Sequence, residues 1–270
     1  MPQPVPGDAK RIVVALDTGS LSGVAIDAAA RLAAGLHAEL QALFVEDSKL
    51  RRLADLPFAR ELGNMSAQHR RFDAAELDRA IRVQARQLRH ALEAAARERP
   101  LIWSLEVVRG DLIAVLLEHT SAADLVVLGR TRRPAYLGVR VPTVARRIER
   151  LAMRHPVVAV FDGTAAATRA LDAALALERR SKGELVVAIR APQQEQIAAL
   201  RAQVDAALAV QRRAASEYLW LQDAGIANIA ETAKRRRAGV VLLPVADLAR
   251  AEHEFEGLVD EIACPVVLIP

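Results

Sequence analysis

The chain has 270 residues, 52% apolar and 26% charged, with 37 basic against 33 acidic side chains for a formal net charge of +4. That composition excludes a disordered or fibrous chain, and a single cysteine, Cys264, excludes an intramolecular disulfide and a thiolate cluster. Aromatics at 3% leave little for base stacking, and so small a positive excess is a weak argument for nucleic acid.

Along the chain, short β-branched runs alternate with longer amphipathic stretches, which predicts parallel strands crossed by helices and buried on both faces. Strands are expected near 11–16, 38–45, 102–108 and 124–128, and helices near 21–35, 72–98, 111–121 and 143–153. Leu77, Ile81, Leu88 and Leu92 fall on one face of the long helix. Between these elements, Leu53, Leu56 and Phe58 alternate with charge over Leu50 to Arg60. This stretch is expected to be a loop over the carboxyl end of the sheet, serving as a lid, a partner-docking element or packing onto the long helix. Further on, strands are expected near 156–161, 184–189, 217–221, 239–243 and 265–269, with helices near 165–179, 195–214, 225–236 and 250–262. Ile197, Leu200, Val204 and Leu208 form the apolar stripe of the second long helix.

The chain repeats itself. Arg11 to Asp17 returns 145 positions later as Pro156 to Asp162, and the same register carries Ala28-Ala29 onto Ala173-Ala174 and Glu39-Leu40 onto Glu184-Leu185. Ala123 to Gly129 returns as Ala238 to Pro244 after a shift of only 115, so the second copy has lost residues in its middle. The terminal Cys264 to Ile269 also resembles His155 to Val160. The segment at 155–160 can therefore close the first copy or open the second, and the helical signal after Thr164 favours the second role. The boundaries are accordingly 8–154 and 155–270, with the first copy left with four strands and the two halves closely packed.

Ile12 to Asp17 before an alanine-rich helix, then Ala38-Glu39-Leu40, Gly110 and Ala123 to Gly129 together resemble the universal stress protein family. The resemblance covers nearly the whole chain, more strongly in the first copy. It implies two tandem open parallel-sheet α/β sandwich domains, Rossmann-like, paired as a pseudo-dimer within the chain or as a homo-oligomer. Members of the family either bind ATP or do not, and binders carry Gly, two residues, Gly, nine residues, then Gly and Ser or Thr. Glycines there let backbone N–H groups approach phosphates, and the final hydroxyl sits at a helix N-terminus.

On this sequence the motif falls on Gly129, Arg132, Pro142 and Thr143. Only the first glycine and the terminal hydroxyl remain: Arg132 brings a side chain where backbone should approach, and Pro142 removes a donor. Arg130, Arg132, Arg133 and Arg140 offer side-chain phosphate ligands instead, or simply a solvated basic loop. Asp17, followed by Thr18, matches the family's residue near adenine and ribose, with the Val45 backbone beside it; alternatively Asp17, Thr18 and Ser20 cap the next helix. In the second copy Pro244 replaces the glycine and Val245 to His253 holds none, so that copy is expected to bind no nucleotide, with Asp162 the remnant of a site.

Other chemistry has little footing. The six histidines show no helical pair of metal-ligand spacing, the acidic run Glu252 to Glu261 suits a solvated face, and Gly19-Ser20 lacks a hydrolase elbow. Lys234 to Arg237 ends a helix, where cations complement the dipole. No continuous apolar run reaches the roughly 18 residues of a membrane span, and the opening residues lack a secretion signal, so the expected location is the cytoplasm. The sequence reading is thus a non-enzymatic stress-response protein acting through contacts with an unidentified protein partner, with no catalytic residue, no metal and at most weak nucleotide or anion binding in the first copy. The alternative is an ATP-binding member holding ATP or AMP there, with slow hydrolysis.

Overall fold

The computed structural model describes residues 11–17, 23–54, 56, 60–62, 69–71, 74–120, 125–129, 155–181, 184–222, 226–245, 262 and 264–270. In the first half, strands β1 (Arg11–Asp17), β2 (Glu39–Asp47), β5 (Trp103–Gly110) and β6 (Leu125–Leu128) alternate with helices α1 (Gly23–Leu36), α3 (Ala74–Glu98) and α4 (Leu112–Thr120). A short helix α2 (Ser48–Ala54) and an antiparallel pair, β3 (Arg60–Leu62) and β4 (His69–Arg71), are inserted after β2. The second half repeats the scheme with β7 (Val157–Phe161), α5 (Ala165–Ser181), β8 (Leu185–Arg190), α6 (Glu195–Val210), β9 (Glu217–Leu221), α7 (Ile226–Arg235), β10 (Val240–Pro244) and β11 (Val266–Ile269). The expected helices near 143–153 and 250–262 lie outside the described residues, apart from Ile262.

All main strands join one nine-stranded sheet in the order β5-β2-β1-β6-β11-β10-β7-β8-β9. Pairing is parallel within each half, with Ile12 to Ala15 on Leu125 to Leu128 and Arg11 to Asp17 on Glu39 to Val45. The halves meet antiparallel, where Val266, Val267 and Leu268 pair with Leu128, Val127 and Val126. Strand β7 pairs with β8 and β10. Among the described residues, four strands that precede residue 155 join this sheet, and β11 occupies the place beside β6.

Side-chain alternation sends the strands into two cores, one on each face. Ile12, Val14 and Leu16 pack with α1, α3, α5 and α6 through residues such as Ala29, Leu32, Leu92, Leu177 and Leu208. Val13 and Ala15 pack on the opposite face with α4 and α7, through Val115, Leu116, Ile229 and Ala233. The first of these cores runs unbroken across both halves because α1 and α5 pack directly on one another. A Cβ on Gly35 would lie 3.2 Å from Ala176 Cβ, so the glycine sets how closely these helices approach.

Helix α6 stops at Val210, short of the expected 214, and the stop is conformational. Arg212 has φ 55, and the Arg213 N–H donates to the Leu208 carbonyl at 3.0 Å. His37 and Arg237 end α1 and α7 in the same way, with Ala38 N–H to Ala33 O and Ala238 N–H to Ala233 O at 2.9 and 2.8 Å. The expected loop over Leu50 to Arg60 is in part helical: α2 covers its start and is tied to α3 by Arg51, whose guanidinium meets Asp78 Oδ1 at 2.6 Å. Leu53 and Leu56 stay 44% and 39% exposed, so neither packs fully onto α3. Phe58 lies outside the described residues.

Candidate functional site

Parallel strands fed by helices leave their carboxyl ends as a row of chain reversals on one edge, where open α/β sheets gather their binding residues. In the first half three expected residues meet on that edge. Asp17 ends β1 and is in register with Val45 of β2. Gly129 follows β6 and its N–H reaches the Ala15 carbonyl at 3.5 Å, the long limit of a hydrogen bond. Val45 and Gly129 are buried. Thr18, Arg130, Arg132, Pro142 and Thr143 lie outside the described residues, as does the Asp17 side chain.

Two neighbours on this edge escaped the sequence reading. Arg109 Nε lies 3.2 Å from Glu46 Oε2, linking β5 to β2, and Gly110 stands opposite Asp47. Gly110 also has a packing role, since a Cβ there would come within 2.7 Å of Val115 Cγ2. The signal for Glu46 and Arg109 was their place next to Val45 and Gly110, but only strand register brings them together.

In the second half, Asp162 follows β7 and serves the next helix. Its Oδ1 accepts from the Thr164 N–H at 3.1 Å and the Thr164 hydroxyl at 2.7 Å, while Thr164 Oγ1 accepts from the Ala167 N–H at 3.1 Å. Thr164 is thus the N-cap of α5 and Asp162 its brace. The chain turns between them at Gly163, φ +85. Beyond β10 the Val245 N–H donates to the Ile269 carbonyl at 2.8 Å, so this donor is committed to the sheet rather than turned to a ligand. Even so, a cavity of about 500 Å³ opens at the carboxyl edge of the second half, lined by Asp162, Arg190, Pro192, Gln196, Leu200 and Gln222 among others. The sequence reading did not single out Arg190, although the 145-residue repeat places it opposite Val45.

Among the described residues, no group of three or more His, Cys, Asp or Glu side chains is arranged to hold a metal ion, and no helix is long and apolar enough to cross a membrane.

The comparisons with known proteins bear on both halves. A universal stress protein from Archaeoglobus fulgidus DSM 4304 superposes with a TM-score of 0.55 at 12% identity, covering 95% of this chain and 95% of its own. A functionally unknown protein from Pseudomonas aeruginosa PAO1 gives 0.48 at 14% identity, over 97% of this chain and 92% of its own. A universal stress protein in complex with cAMP matches 43% of this chain and 96% of its own, with a TM-score of 0.39 at 17% identity. No curated protein matches the chain. The model of the Universal stress protein family matches residues 9–152, more than half of the chain, and with the two-fold repeated parallel α/β architecture around it, this chain belongs to the universal stress protein family.

Proposed function

We propose that the protein is a non-enzymatic regulator of the stress response that works through protein–protein contact, with at most weak nucleotide or anion binding in its first half. The observation that carries this reading is the phosphate segment after β6, where Arg132 and Pro142 stand in place of the two later glycines of the family's motif. A cradle of backbone N–H groups loses a close approach at the first position and a donor at the second. The halves 8–154 and 155–270 act as a pseudo-dimer within one chain, β11 filling the place beside β6. The antiparallel β6–β11 pairing supports that reading.

The second reading is an ATP-binding member, in which Asp17, Val45 and Gly129 contact the nucleotide and Arg130, Arg132 and Thr143 hold its phosphates. It is favoured by the meeting of Asp17, Val45 and Gly129 on adjacent strands at the carboxyl edge of the first half. Calorimetric titration of nucleotide-stripped protein with ATP, ADP and AMP, with and without magnesium, separates the two. Binding weaker than a dissociation constant of about 1 mM, equivalent to about −4 kcal/mol, supports the regulator without a resident nucleotide. Saturable binding at one site per chain that is lost in Asp17→Ala supports the second reading and overturns the first.

A further inference from the structure

We infer that the cavity at the carboxyl edge of the second half binds a small organic anion with an apolar body, its charge carried by a carboxylate or a monophosphate ester. The inference is independent of the nucleotide reading, which concerns the first half. The cavity, about 500 Å³, lies among the ends of β7, β8 and β9 and the first turns of α6. Its wall is mainly apolar, with Pro192, Ala199 and Leu200, and its polar groups are Gln196, Gln222, Asp162 and Arg190.

Arg190 is the critical residue. It ends β8, is half-buried and lines the cavity, and its guanidinium has no ion-pair or hydrogen-bond partner among the described residues. Asp162 lines the same cavity without pairing with it; its Oδ1 is engaged by Thr164. A half-buried cation beside apolar surface is costly when unpaired and favourable when an anion meets its planar fork, and with no counter-charge for Arg190 among the described residues a ligand anion fits that place. The apolar wall and the amides of Gln196 and Gln222 then select an organic body over a bare ion. The first half carries buried Val45 at the matching position, so the two edges differ in chemistry.

The molecule holds its own reporter. The Trp220 indole N–H donates to the Ala191 carbonyl at 2.9 Å, one residue from Arg190, and the protein's other tryptophan is Trp103 in the first half. In the full-length Trp103→Phe protein, 8-anilinonaphthalene-1-sulfonate, an anion on an apolar body, is expected to bind at one site per chain and to take energy from Trp220. Arg190→Gln should weaken that binding at least tenfold, Leu200→Gln should weaken it with the charge intact, and Arg89→Gln on the exposed face of α3 should leave it unchanged. Displacement by 1-naphthoate, by 1-naphthyl phosphate or by both identifies the acidic group accepted. Displacement by neither, absence of energy transfer from Trp220, or equal binding by the parent and a folded Arg190→Gln protein would overturn the assignment. Should Arg190→Gln fail to fold, unchanged binding in Leu200→Gln would overturn it equally.

Discussion

Tyr218 shows how one residue's surroundings set its chemistry. It lies on β9, where its hydroxyl donates to Asp205 of α6 while Arg201 of the same helix lies over its ring, 4.6 Å from the centroid. Burial first, and then the hydrogen bond and negative charge of Asp205, push its ionisation well above the ordinary value of 10.0. Below pH 10 the folded and unfolded chains both keep this proton. Above it only the unfolded chain releases the proton, so the tyrosine's contribution to stability is lost as pH rises through the folded value. Alkaline absorbance titration should show Tyr218 ionising later than an ordinary tyrosine, and Tyr218→Phe should remove that late phase; a phase centred near pH 10 would contradict the contact. Asp162 shows the limit of reading a residue alone. The sequence reads it as a site remnant, and in the folded chain one of its oxygens also braces the start of α5.

At the scale of elements, most strands and helices follow from periodicity, because a parallel strand buried on both faces leaves an uninterrupted apolar run and its crossover helix a 3.6-residue stripe. The exceptions have physical reasons. Three helices end on left-handed His37, Arg212 and Arg237, none of which is the glycine that marks such a stop in a sequence. The expectation for α6 therefore ran past its true end. Left-handed backbone strains a residue with a Cβ, so Arg212→Gly should stabilise the protein by about 1 kcal/mol, less the entropy a glycine loses on folding. Urea unfolding checks this, and a lower midpoint would mean that the Arg212 side chain contributes more than its backbone costs. Helix α2 and the β3–β4 pair were hidden because they are short and lie in a polar insertion, where periodicity has too few residues to register.

The whole molecule is joined at β11. This strand pairs parallel with β10 and antiparallel with β6, and Val267 at its centre is fully buried between Leu242 and Val127. On one face the core continues across the seam through α1 and α5. The halves should accordingly unfold together. Val267→Pro removes a ladder donor in a central strand and leaves a buried carbonyl unsatisfied, a cost of about 1–3 kcal/mol. Followed through Trp103 in a Trp220→Phe background and through Trp220 in a Trp103→Phe background, that loss should move both unfolding midpoints equally. A shift confined to Trp220 would show that the seam is not a cooperative junction.

By itself the sequence determined the repeat, the alternation of strand and helix, the family and the placing of Asp17 and Gly129 at strand ends beside Val45, because these depend on local pattern and on register between copies. Only the tertiary structure decided the rest. The antiparallel meeting of β6 with β11, the pairing of Glu46 with Arg109 and the cavity around Arg190 join residues whose proximity no local pattern encodes. Strand order and helix packing bring those residues together, and both are set by burial summed over the entire chain.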